Sequence, residues 1–181
     1  MPGSFIALAV LLAVGPCGSL DPRVREWTLG ALPSRYRDVS WRGEKAIAVE
    51  LTGDGHCDLA VPGNRGDDFA VAVIIGPLAP QSVMKRMMWL RAGAEDSREC
   101  ARSQGAVLRE EPPTLPADLW GCIKQKGPDD FCDNVRKREA WLQKAAAGGM
   151  RGLRVSGDAG CTEIHMYWNP EARQFEQWQA E

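Results

Sequence analysis

The sequence predicts an α+β fold: an antiparallel sheet, built as a meander plus a C-terminal hairpin, carrying one main helix. Three observations lead there. Short apolar segments with period-two alternation crowd residues 45 to 75, and a second alternating segment closes the chain. Between them stands one long stretch with helical spacing and a signal at each end. No internal repeat or low-complexity tract divides the chain, so a single domain is expected over residues 21 to 181.

The N-terminal run FIALAVLLAV, followed by GPCGS, has the length of the central region of a secretory signal and is too short to span a bilayer. A signal is therefore expected over residues 1 to 18, although no Lys or Arg precedes the run and Pro16 spoils the position before Cys17. Next, Asp21 and Pro22 are a helix N-cap and first helical residue. That helix is expected to be short, because Gly30 and Pro33 follow closely.

KAIAVEL alternates, with Ile47, Val49 and Leu51 on one face, and DLAV resumes with Leu59 and Val61. FAVAVII is apolar on both faces and β-branched, as a central strand is. These three segments form the meander. VMKRMMWLR fits strand better than helix. Residues 93 to 118 are expected to form a polar, Pro-rich connection with a turn of helix around Cys100. In PDDFCDNVRKREAWLQKAAA, Asp129 or Asp130 caps a helix whose stripe is Phe131, Val135, Leu142 and Ala146, and Gly148-Gly149 ends it. Ile164, Met166 and Trp168 then alternate with His165 and Tyr167, NPEAR turns the chain, and Phe175 and Trp178 lie on the returning strand.

Composition excludes some functions. Apolar content of 44% and charged content of 25% are ordinary for a folded protein, and the net charge is −2. Arg136-Lys137-Arg138 is too short to be the basic stripe of a nucleic-acid binder. No nucleophile elbow, phosphate loop, dinucleotide fingerprint or zinc-protease motif is present. The six cysteines contain no C-x-x-C pair, and scattered cysteines in an exported chain usually pair. A local Cys122–Cys132 bridge across a Gly-Pro turn is geometrically reasonable, and a Cys100–Cys161 bridge would then tie the polar connection to the C-terminal hairpin.

Two chemistries involve the histidines. A Cys nucleophile with His165 is a conceivable dyad, and His56, Cys57, Cys161 and His165 are a conceivable zinc set. The blander reading of His165 is exposure on the outward face of its strand. Tyr167 and Trp178 suggest an exposed patch suited to a partner, while Trp27, Trp89, Trp141 and Trp168 are read as core or half-core residues.

ELTGDGHCDLAV, residues 50 to 61, carries the most specific motif. Counting Glu50 as the first position, oxygen ligands would come from Glu50, Thr52, Asp54, the His56 carbonyl and Asp58, with Gly55 at the sharp turn. With its flanking strand residues the loop resembles the D-x-N-G-D-G-x-x-D-L loops of FG-GAP and VCBS-type β-propeller repeats. That resemblance implies calcium held between strands. Glu50 and Thr52 depart from the family pattern, and a single copy closes no propeller. Two readings stand: a structural turn whose carboxylates accept loop N–H groups, or a calcium site with a dissociation constant on the order of a millimolar.

The resulting expectation is a periplasmic or extracellular, non-enzymatic binding module, such as an inhibitor or immunity-type protein of the cell envelope, with an unknown protein partner, no nucleic acid and no stable membrane span. The alternative is a small envelope hydrolase using a Cys nucleophile with His165.

Overall fold

Asp21 caps α1 (Pro22–Arg35) by accepting the Arg23 N–H at 2.8 Å. The helix runs 14 residues, through Gly30 and Pro33, so the short helix expected from those residues is corrected. Packing overrides their helix-breaking tendency. Leu32 and Thr28 are buried, and Trp27, Leu29 and Ala31 pack against the sheet below. Arg25 also ties the helix to the carbonyls of Gly43 and Ala46. Pro33 falls in the last turn, where only one intrahelical bond is lost. The computed structural model describes residues 17, 21–66, 68–78, 87–91, 106–116, 119–124, 129–156 and 163–179.

The fold is α+β, and its strands form two antiparallel sheets where the sequence suggested one. The first contains β1 (Ser40–Trp41), β2 (Ile47–Val49), β3 (Asp58–Arg65), β4 (Asp68–Ile74) and β5 (Met87–Arg91). β1 and β2 both pair with β3, which pairs with β4, and β4 pairs with β5. The meander is present. The second sheet has the order β6 (Val107–Glu111), β7 (Gly152–Ser156), β8 (Ile164–Asn169) and β9 (Gln174–Gln179).

Side-chain parity explains why two sheets are needed. Val49, Ala60, Phe69, Val71 and Val73 point one way and meet Leu108, Leu153, Val155, Ile164 and Met166 of the other sheet. Leu59, Val61, Ala72 and Ile74 point the other way, against α1. β3 and β4 are therefore covered on both faces, as their continuous apolar runs require. The second sheet is covered in turn by α3 (Asp130–Ala147), through Leu115, Val135, Leu142, Met150 and Tyr167. The layers run helix, sheet, sheet, helix.

Asp129 caps α3, accepting the Phe131 and Cys132 N–H groups, and Gly149, at φ 99°, follows the helix end. Phe131 does not belong to the buried stripe: it is 61% exposed, and Cys132 takes the buried place in that turn. A Cys122–Cys132 disulfide staples α2 (Trp120–Lys124) to the start of α3. β6 lies within the segment expected to be irregular, as an edge strand that turns Leu108 inward and pairs its backbone with β7.

A second disulfide joins Cys17 to Cys57. This bond ties Cys17, a residue within the segment expected to be a signal, to the loop before β3. Two disulfides are consistent with folding in an oxidising compartment. Among the described residues no helix is long and apolar enough to cross a membrane. Cys100 and Cys161, and so their expected bridge, lie outside the described residues.

Candidate functional site

The GDG loop is built around Glu50, which is only 3% exposed. One carboxylate oxygen accepts the N–H groups of Thr52 at 2.9 Å and Gly53 at 2.8 Å, and the other accepts Gly55 at 3.0 Å. Gly53 and Gly55 have φ of 76° and 80°, which turn these amides inward and are accessible to glycine at little cost. Asp58 is fully buried and accepts Leu51 N–H at 2.8 Å and Gly76 N–H at 2.7 Å, one on each oxygen. Asp54 accepts the His56 N–H at 2.9 Å.

Burial pushes the Asp58 carboxyl up to about 6, against the lowering effect of its two backbone donors; the charges of Glu50 and Asp54 add to the rise. Thr52 Oγ1 is buried without a hydrogen-bond partner, so one oxygen of the expected calcium set is unengaged. One neutral oxygen is not a cage. Among the described residues no three His, Cys, Asp or Glu groups converge as metal ligands, and the loop carboxylates face amides. In this arrangement the Glu50 and Asp58 oxygens of the expected calcium set accept backbone N–H groups. The zinc set is corrected, because the Cys57 sulfur is bonded to Cys17.

The loop braces α3. Its Glu50 carbonyl accepts the Arg151 N–H at 2.7 Å just beyond that helix. A Cβ on Gly53 would lie 3.5 Å from Met150 Sδ and 4.0 Å from Trp141 Cζ2. The turn thus lies against the residues that hold the end of α3 and the Trp141 ring.

His165 is 8% exposed, not exposed on an outward face, because the Trp178 ring stacks over it and Glu111 lies at its edge. The imidazole stacks on Trp178 with ring centroids 4.1 Å apart, and its Nδ1 lies 2.8 Å from Glu111 Oε1. Gly152 lies between Glu111 and the hairpin without a side chain, which leaves the path open. The His165 Nε2 has Glu163 at 4.0 Å and no hydrogen bond. Cys122 and Cys132 are bonded to each other, so neither offers a thiolate to this histidine.

Tyr167 is also buried, at 2% exposure, so the expected Tyr167–Trp178 surface patch is corrected. Its hydroxyl donates to Glu176 across the hairpin, and Asn169 Nδ2 donates to the other oxygen of the same carboxylate. Arg138 from α3 reaches Glu176 at 2.9 Å. Burial first, then the Glu176 carboxylate, push the Tyr167 hydroxyl up to about 12, so it stays protonated and remains the donor.

This network floors a cleft of about 430 Å³ on one flank of α3. Asn134, Lys137, Arg138 and Trp141 form its helix wall, while Asn169, Pro170 and Glu171 come from the hairpin. No sequence motif marks this group. Arg138 and Glu176 are 38 residues apart and carry no shared motif; the only local signal was a run of polar residues on one side of the helical stripe.

On the opposite flank a groove of about 210 Å³ is bordered by Leu115, Trp120, Ile123, Lys124 and Glu139. Trp120 is 52% exposed, Ile123 37% and Phe131 61%, and all three flank the Cys122–Cys132 staple. No protein-family model matches the chain, and no curated protein or solved structure matches it.

Proposed function

We propose that this chain is an exported, non-enzymatic binding module of the periplasm or extracellular space, of the inhibitor or immunity type, which seats a protein partner on the disulfide-stapled corner of α2 and α3. The exposed trio of Trp120, Ile123 and Phe131 carries the reading. Large apolar side chains held out by a covalent staple cost little entropy on binding, and aromatic anchors dominate the energy of protein interfaces. The two disulfides support an oxidising location. The GDG loop enters as a brace for α3 and not as a calcium site.

The hydrolase alternative draws no support from the described residues. His165 is buried under Trp178, and both cysteines of α2 and α3 are oxidised.

A photo-cross-linking residue placed at Phe131 tests the proposal in envelope extract. A discrete adduct should form, be competed by unmodified protein, and identify a partner whose affinity for the Trp120→Ala variant falls by about 30-fold, as for an interface anchor worth roughly 2 kcal/mol. A smear of adducts insensitive to competition, or a partner indifferent to Trp120→Ala and Phe131→Ala, would refute it.

A further inference from the structure

The cleft on the other flank of α3 has a different chemistry, and we infer that it is a binding site for a neutral saccharide. This inference does not depend on the protein-partner reading. Its volume of about 430 Å³ lies within the range of small-molecule pockets.

The charges select a neutral ligand. Lys137 and Arg138 stand on the helix side and Glu171 stands opposite, while the Arg138 charge is already paired with Glu176. An anion meets Glu171 and a compensated Arg138, and a cation meets Lys137. A ligand without net charge meets neither penalty.

The side chains select hydroxyl groups. Asn134 offers an amide donor and acceptor, Lys137 and Arg138 offer N–H donors, and Glu171 offers acceptor oxygens. A sugar hydroxyl is both donor and acceptor, so one ring can satisfy this alternation around its edge. The half-buried Trp141 and the exposed Pro170 supply apolar surface for the C–H face of such a ring. A purely apolar ligand would leave the polar groups unpaired at a cost.

The site is also held in place before binding. Arg138 is tied to Glu176, which is fixed in turn by Tyr167 and Asn169. Asn169 Oδ1 accepts the N–H groups of Glu171 and Ala172 and so shapes the hairpin turn that forms the outer wall. Trp141 lies against the braced GDG loop. Little ordering entropy is lost on binding to such a wall.

The test is titration of the full chain with soluble trisaccharides, one of hexose and one of N-acetylhexosamine, followed by calorimetry and tryptophan fluorescence, with inorganic phosphate as a charged comparison. Saturable binding of at least one trisaccharide in the millimolar range or tighter is expected, with phosphate failing to compete. Trp141→Ala should weaken it by about tenfold, the upper end of an aromatic contact. Because Trp141 also packs against the core, the exposed Asn134→Ala and Lys137→Ala variants are measured alongside, and each should weaken binding while keeping the parent's melting temperature. Absence of saturable binding by either trisaccharide overturns the proposal. So does binding that all three substitutions leave unchanged, and so does phosphate binding more tightly than the sugars.

Discussion

The Asp58 carboxylate accepts a backbone N–H on each oxygen, yet desolvation still lifts its pKa from 3.8 to about 6. The folded state holds this proton more tightly than the unfolded chain does. Stability contributed through Asp58 is therefore present on the acid side and is lost as pH rises from about 4 to about 6. The size is on the order of 2 to 3 kcal/mol. Asp58→Ala should be less stable than the parent throughout, because it orphans the Leu51 and Gly76 amides at a cost of roughly 1 to 3 kcal/mol each. Its deficit should be larger at pH 4 than at pH 7, as read from denaturant titrations at both values. An equal deficit at the two pH values would contradict the assigned titration. The neighbouring carboxylates yield a second expectation. Glu50 is bonded to three loop amides, so melting in calcium and in chelator should coincide. A calcium-dependent rise that Asp54→Ala abolishes would reinstate the ion site.

At the scale of elements, α2 depends on a covalent bond more than on packing. It is five residues long and buries no side chain, which is too short to persist alone. The Cys122–Cys132 bridge fixes it to α3, and Arg136 adds a hydrogen bond to the Cys122 carbonyl. Replacing both cysteines by serine should cost roughly 3 kcal/mol in the loop-entropy model and leave the rest of the fold standing. Amide exchange should then accelerate across Trp120–Lys124 while α3 beyond its second turn stays protected. Unchanged protection in α2 would show that the staple is dispensable. The helix caps at Asp21 and Asp129 were legible in the sequence because each bond spans only two or three residues. β7 was passed over although Leu153 and Val155 alternate, since five residues between a Gly–Gly stop and a polar turn resemble a connection. β6 was less legible still, with Leu108 as its one buried residue.

For the whole molecule, the Cys17–Cys57 bond ties the N-terminal segment to the loop between β2 and β3. Retention of this bond in the exported protein predicts that a signal, where one is removed, is cut before Cys17. Mass spectrometry of exported protein should find an N-terminus upstream of that residue, and unreduced peptide maps should contain the Cys17–Cys57 pair. Cys17→Ser should lose roughly 4 kcal/mol, reflecting the longer closed loop. A mature chain that starts after Cys17, with Cys57 as a free thiol, would contradict the arrangement.

The sequence by itself determined the α+β class, the meander, the hairpin, the two capped helix starts and the turn at Gly53–Gly55. These rest on period-two alternation, on side-chain caps and on glycine geometry, all of which act within a few residues. Only the tertiary structure decided that there are two sheets, that α3 covers Tyr167 while Trp178 covers His165, and that Arg138 meets Glu176 beside Trp141. Alternation shows that a strand has two different faces, but not what will lie against each. His165 and Tyr167 occupy the polar-looking face of β8, and α3 over Tyr167 with the Trp178 ring over His165 turns that face into an interior. The cleft follows from the same event, because its walls come from a helix and a hairpin that share no local signal.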